Sequence, residues 1–266
     1  MAKITVFTPT ICELMQVDSP KTTQAHALPQ VLGEAKNIFG EEPVEKCLIY
    51  APDALGSFLL TKFSAEFNKI KEFAPITADL EAVMKSFTPV CFASMFSGAL
   101  PETTGISKYE KPVLTIETIF DVLAKAGKKV ALVAVKDCSI DVIFRQRDIE
   151  YYSEPYDEDV TKRTLELLKQ NEVDVIVAYN QEYDDFLHKT EPFSNQCINA
   201  MHKHLKTFNL LAEAFNKYWS KYNRSITFTP DHGAHFDTLK NKGVHGTDMP
   251  EDLNVRHYWG LYKGAK

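Results

Sequence analysis

Short β-branched runs alternate along this chain with stretches whose apolar residues recur at helical spacing, and this alternation restricts the fold more than any other feature. Lys46-Cys-Leu-Ile-Tyr50 reads as a strand, and Ala54 to Phe73 then places Leu55, Phe58, Leu59, Phe63, Phe67 and Ile70 at helical intervals. A second unit has a helix over 115–127, stopped by Gly127, and a strand over 129–135. A third has a helix over 157–171 and a strand over 173–179. A long helix over 194–222 and a strand over 225–229 close the series at Pro230. Strands alternating with helices imply right-handed crossovers, so the expected class is α/β, a mostly parallel central sheet with helices on both faces. No repeat or Pro/Gly/Ser-rich linker interrupts the chain, and residues 1–266 are expected to form a single domain. Residues 8–43 follow no clean period and could serve as a small lid or irregular segment within it.

Composition narrows the function. At 44% hydrophobic and 25% charged residues the chain reads as an ordinary soluble protein, and a formal net charge of -6 argues against a nucleic-acid polymer as partner. No run of 18 or more apolar residues appears, and Glu13 interrupts the N-terminal stretch before a secretory segment could form. A cytoplasmic protein with no membrane partner is expected. The five cysteines lie 35 or more residues apart without a Cys-x-x-Cys pair, which suits reduced structural thiols. Oligomeric state is left open.

The chemistry gathers where strands end. Asp53 follows the strand 46–50, Asp184 follows 173–179, and Asp231 follows 225–229, and in open parallel sheets ligands bind at the carboxyl edge. Asp231-His232, flanked by Pro230 and Gly233, is followed by Gly243-Val-His245-Gly246, so an oxygen donor and two nitrogen donors of the kind Zn²⁺ or Mn²⁺ takes stand near one another. Asp184 and His188 are four residues apart and would share one face of a helical turn. Thr88, before Pro89, reads as an N-cap with proline at the first helical position; a hydroxyl there sits in a positive local field that favours a phosphoryl group. His202 and His204 read as solvated positions on the long helix, whereas His235 and His257, near the metal blocks, are candidates for contact with substrate. Lys85, Lys108 and Arg256 are cations that could meet a phosphate.

Five blocks carry a resemblance: Ala51-Pro-Asp-Ala-Leu-Gly56; Thr88-Pro-Val through Ser97-Gly-Ala-Leu-Pro-Glu-Thr-Thr-Gly-Ile106; Tyr179 to His188; Pro230-Asp-His-Gly233; and Gly243-Val-His-Gly246. In this order, over about three quarters of the chain, they resemble the alkaline phosphatase superfamily and most closely its type I phosphodiesterase/nucleotide pyrophosphatase branch. The resemblance implies an alkaline phosphatase-like core without a large cap domain, and a two-metal site in which Asp53, Thr88, Asp231 and His232 hold one divalent ion while Asp184, His188 and His245 hold the other. Zn²⁺ suits these donors, and Mn²⁺ or Fe would tolerate them. Thr88 would then be the nucleophile of a metal-dependent hydrolase acting on small phosphorylated substrates, with phosphodiester or nucleotide pyrophosphate bonds favoured. Where that branch has Phe-Pro-Asn-His after its nucleophile, this chain has Pro89-Val-Cys-Phe92, and the branch's phosphate-binding asparagine falls near Tyr109, the candidate substrate contact. A phosphomutase or phosphonate hydrolase of the same superfamily, and a non-catalytic protein binding metal or a phosphorylated ligand, are the other readings.

Overall fold

The computed structural model describes residues 1–265. The strands are β1 (Ala2–Lys3), β2 (Lys46–Pro52), β3 (Ile76–Glu81), β4 (Val130–Val135), β5 (Glu150–Glu154), β6 (Val175–Asn180), β7 (Arg224–Phe228), β8 (His235–Asp237), β9 (Lys242–Val244) and β10 (Asn254–Tyr262). The helices are α1 (Phe7–Met15), α2 (Pro29–Phe39), α3 (Leu60–Asn68), α4 (Thr88–Ser97), α5 (Pro101–Thr104), α6 (Ile119–Lys125), α7 (Ser139–Ile143), α8 (Asp157–Gln170), α9 (Glu182–Leu187), α10 (Asn195–Tyr218) and α11 (Pro250–Leu253). Eight strands form one sheet in the order β1-β3-β10-β7-β2-β6-β4-β5, with β8 and β9 as a separate hairpin. Only β10 runs antiparallel to its neighbours β3 and β7. The expected α/β architecture is therefore present. Among the described residues no helix is long and apolar enough to cross a membrane.

Strands β2, β4 and β6 are buried at every residue, as expected for parallel strands covered on both faces. The two covering layers follow from the register. Tyr50 lies beside Ala178, and Ala51 beside Tyr179, so Tyr50 and Tyr179 point to opposite faces of the sheet. Tyr50 packs on Phe208 of α10, whereas Tyr179 meets Phe92 of α4 edge-on at 5.6 Å between centroids. Helix α10 thus covers one face and α4 the other. Residues 8–43, expected to be irregular or a lid, instead hold α1 and α2, and Phe7, Ile11, Cys12 and Val31 are fully buried in the common core. All five cysteines are buried and unpaired.

Caps account for the shifted helix ends. Thr118 and Asp121 form a reciprocal capping box, so α6 starts at Ile119 rather than 115. The Ser194 hydroxyl accepts from the Cys197 N–H at 3.2 Å and fixes the start of α10.

His204, expected in solvent, is buried. The Tyr183 N–H donates to its Nε2 at 3.2 Å, so Nδ1 carries the proton and meets the Tyr50 hydroxyl at 2.9 Å. Protonating Nε2 would set two donors against each other, and burial pulls the imidazole down to about 3. The unfolded chain takes up this proton near 6.5 and the folded chain only near 3, so the contribution is complete above 6.5 and lost as pH falls through that window. We expect His204→Gln to flatten the acid loss of stability by up to about 1.4 kcal/mol per pH unit in that range, read from urea unfolding at a series of pH values. Identical slopes in both proteins would refute this.

Candidate metal centre

Three adjacent strands deliver the donors. The sheet order places β2 between β7 and β6, and Asp53, Asp231-His232 and Asp184 follow the carboxyl ends of these three strands. His188 closes α9 one turn after Asp184, and His245 follows β9. The ligand atoms form two groups, Asp53, Asp231 and His232 in one and Asp184, His188 and His245 in the other, each within 4.8 Å of one another. The His232 and His245 rings stack with centroids 4.1 Å apart, so the groups adjoin.

Thr88 is not the N-cap that its sequence suggested. Phe87 is the cap, with extended backbone, and its carbonyl accepts the Cys91 N–H at 2.9 Å. The Thr88 hydroxyl is therefore released from capping. It lies 3.4 Å from Asp53 Oδ2 and 3.3 Å from His232 Nε2, at the start of a buried ten-residue helix.

The protonation of the rings follows from their outer partners. His188 Nδ1 faces the Gly243 carbonyl at 3.3 Å, His232 Nδ1 the Gly233 carbonyl at 3.0 Å, and His245 Nδ1 the Ser86 carbonyl at 2.7 Å. A carbonyl only accepts, so each Nδ1 carries the proton and each Nε2 turns a lone pair inward. His188 and His245 then set two lone pairs 3.1 Å apart, an arrangement that needs a cation between them, either a proton on His188 or a metal ion. His232 Nε2 likewise faces Asp53 Oδ1 and Asp231 Oδ2, both at 3.4 Å. Those two oxygens and Asp184 Oδ1 are buried without a hydrogen-bond partner. Orphaned buried carboxylate oxygens beside inward imidazole lone pairs fit a pair of divalent cations.

Electrostatics agrees. Burial first, then the charges of Asp231 and Asp184, push the Asp53 carboxyl well above the usual range. Burial also raises Asp231 to about 7, against the pull of the Ala54 N–H. Asp184 is held at about 2, because the raising effect of its burial is outweighed by the His188 hydrogen bond and the nearby imidazoles. Burial lowers His232 and brings His245 down to about 4, which keeps both rings neutral and able to ligate. The Asp184 hydrogen bond raises His188.

Supporting residues lie just outside. The Tyr179 hydroxyl donates to Asp53 Oδ2. Buried Asp252 accepts from the Thr247 N–H at 2.9 Å and its hydroxyl at 2.7 Å, and pairs with His235 Nδ1 at 2.7 Å, while its own carbonyl takes the Gly233 N–H at 2.8 Å. It thereby ties the loop of His232 to the loop of His245. His235 Nδ1 is thus taken by Asp252, and His257, fully buried with Nε2 at 2.9 Å from the Pro230 carbonyl, faces the core and does not meet the expectation of a substrate contact. Arg256 pairs with Asp79 and Lys108 with Glu110.

Thr88, Asp53 and Asp184 open into a cavity of about 160 Å³ that Tyr109 also lines. Its two cations, Lys111 and Lys136, escaped the sequence reading. Lys136 had a signal available, since it follows the strand 129–135 at the same edge of the sheet as the three aspartates.

An α/β sheet whose carboxyl edge carries two adjoining carboxylate–imidazole groups beside a helix-borne threonine has counterparts among known proteins. No family model matches the chain, and no curated protein matches it. Solved structures do. Human ectonucleotide pyrophosphatase/phosphodiesterase 5 aligns with a TM-score of 0.58 at 17% identity, over 73% of this chain and 58% of that one. An inactive threonine-to-alanine variant of the murine protein, in complex with AMP, aligns with a TM-score of 0.58 at 16% identity, over 73% and 59%. Phosphonoacetate hydrolase from Sinorhizobium meliloti 1021, in complex with phosphonoacetate, aligns with a TM-score of 0.53 at 17% identity, over 74% and 59%. This chain has the alkaline phosphatase-like fold these structures share, and it spans less than two thirds of the length of each.

Proposed function

We propose that this protein is a metal-dependent hydrolase of small phosphate esters, phosphodiester or nucleotide pyrophosphate bonds favoured, with Thr88 as nucleophile. The observation that carries the reading is the Thr88 hydroxyl, free of capping duty and 3.3 and 3.4 Å from His232 and Asp53 inside an electron-rich set of three carboxylates and three imidazoles. The inactive threonine-to-alanine variant of the murine structural relative, in complex with AMP, supports a role for such a hydroxyl.

Asp53, Thr88, Asp231 and His232 would hold one ion and Asp184, His188 and His245 the other, with Zn²⁺ best suited to the mixed donors. Two bound cations would lower the pKa of the hydroxyl and offset charge on the phosphoryl oxygens. The chain supplies the rest. Thr88 Oγ1 attacks phosphorus in line, the leaving group departs from the opposite side, and water later cleaves the threonyl phosphoryl ester, which for a diester still carries its second substituent. The start of α4 adds a positive field at the reacting oxygen. The carbonyls of Ser86, Gly233 and Gly243 fix the imidazole tautomers, and Tyr179 and Asp252 hold the carboxylate and loops in place.

Stripping the protein with chelator and restoring Zn²⁺ is expected to restore hydrolysis of bis(p-nitrophenyl) phosphate, with p-nitrophenyl phosphate as the slower substrate. Metal at 100 times its dissociation constant should also stabilise the fold by about 2.7 kcal/mol, seen as a raised melting temperature. Metal-loaded protein that turns over no ester in a panel of monoesters, diesters, pyrophosphates and phosphonates would leave a phosphoryl-binding protein instead.

A further inference from the structure

We propose that Asp157 is a positioning residue for one half of the candidate metal centre: from the start of α8 its carboxylate caps the neighbouring helix α9 and so sets where Asp184 and His188 stand. The inference rests on the metal reading above and adds what holds the second group of ligands in place.

Helix α9 does not secure its own start. It has six residues, too few to be stable alone, and its cap residue Gln181 is of a type that seldom caps and makes no side-chain cap bond. The N–H groups of its first turn are met from two other helices instead. Asp157 accepts the Gln181 N–H on Oδ1 at 2.9 Å and the Glu182 N–H on Oδ2 at 3.0 Å, and His204 of α10 accepts the Tyr183 N–H at 3.2 Å. Asn180 Nδ2 donates to the Asp157 carbonyl at 3.2 Å, which ties the start of α8 to the end of β6, and the adjacent Tyr156 hydroxyl donates to Asp185 Oδ2 at 2.6 Å.

The carboxylate of Asp157 has no other strong partner. The residue is 7% exposed, and among the described residues no lysine or arginine pairs with it; the nearby Lys203 is engaged by Glu182, and His204 Nε2 stands 4.0 Å away. Burial pushes its carboxyl up to about 6 against the pull of the two N–H donors, so at neutral pH it is ionised and its charge meets the positive end of α9. Asp184 stands two residues beyond Glu182, about 3 Å along the helix, and His188 one turn further, so a shift of the first turn passes directly to both ligands. The other group is anchored elsewhere. Asp53, Asp231 and His232 are held by Tyr179, the Ala54 N–H and the Gly233 carbonyl, and the cap therefore acts on one group of the two.

That asymmetry is the test. Zinc binding is to be measured calorimetrically at neutral pH in two backgrounds: Asp231→Ala, which leaves the Asp184, His188 and His245 group, and His245→Ala, which leaves the Asp53, Asp231 and His232 group. Adding Asp157→Ala is expected to weaken zinc binding about tenfold or more in the first background and to leave it within about twofold in the second. Glu158→Ala, which removes an exposed carboxylate from the same turn of α8, should change neither. Equal losses in both backgrounds would make Asp157 a general stabiliser, and no loss in either would mean that α9 is held by other contacts; each result overturns the proposal. Hydrogen exchange of metal-free protein gives a second readout. Asp157→Ala should speed exchange across residues 181–188 about tenfold while β2 and β7 keep parental rates. Unchanged exchange in that segment, or equal acceleration throughout the sheet, overturns the cap. Absence of zinc binding in both backgrounds would sink the metal reading, and exchange then decides the hold on α9 by itself.

Discussion

Thr88→Ala is expected to lower hydrolysis of a nitrophenyl phosphodiester by about 10³-fold or more while fold and metal content persist. The hydroxyl is an aliphatic nucleophilic oxygen in contact with the Asp53, Asp231 and His232 group, at 3.4 and 3.3 Å from two of its members, whereas the Tyr179 hydroxyl in the same cavity is committed as a donor to Asp53. Its loss leaves those three ligands in place. The structural cost is small: a hydroxyl and one buried methyl go, no cap is broken because Phe87 holds that position, and about 1 kcal/mol of stability is at stake. Thr88→Ser keeps the oxygen and should remain within about tenfold of the parent. Acid quenching during turnover of the diester should trap a nitrophenyl phosphoryl group on Thr88 in the parent and none in the alanine protein. Full activity in Thr88→Ala would refute the assignment. Loss of activity together with loss of metal would make Thr88 a ligand first and leave the nucleophile to another group.

The strands that deliver the site were legible because a parallel sheet covered on both faces demands unbroken apolar runs, as in Leu48-Ile-Tyr-Ala51 and Val175-Ile-Val-Ala178. The acids were legible by position, since each follows such a run. Residues 8–43 hid their helices for a physical reason: Thr8 and Thr10 read as polar, yet both are fully buried, the first donating to the Met95 carbonyl at 2.7 Å and the second to the Val6 carbonyl at 2.6 Å. Satisfied hydroxyls count as core, which erases the apolar period. His204 and Asp252 were obscured in the same way, as buried polar groups whose partners lie on other segments, Tyr50 for the one and Gly233 and Thr247 for the other. Thr88 illustrates the converse. The Thr-Pro pair signals a helix start correctly, but Phe87 holds the cap position, and the hydroxyl faces partners 35 and 144 residues away.

Gly233→Ala is expected to cost about 3 kcal/mol or more and to release metal from the Asp53, Asp231 and His232 group, although it adds a single methyl. A Cβ at this position would lie 2.0 Å from the Glu251 carbonyl oxygen and 3.0 Å from the Gly56 Cα, both backbone atoms that cannot turn aside. Gly56 is equally constrained, its own Cβ falling 2.4 Å from the Gly233 Cα. The two glycines therefore let the loop after Asp53 and the loop after His232 touch backbone to backbone, which is how two strands' worth of ligands come within 4.8 Å. Adding the methyl also strains the hydrogen bond from the Gly233 N–H to Asp252, the residue that ties down the His245 loop, so both groups are disturbed by one change. Gly33→Ala is the control. It lies within α2 with nothing inside 4 Å of its Cβ, and alanine there should stabilise by up to about 1 kcal/mol. Urea unfolding and metal analysis of the two variants decide the matter: Gly233→Ala protein with parental stability and full metal content would show that close approach of these loops does not assemble the site.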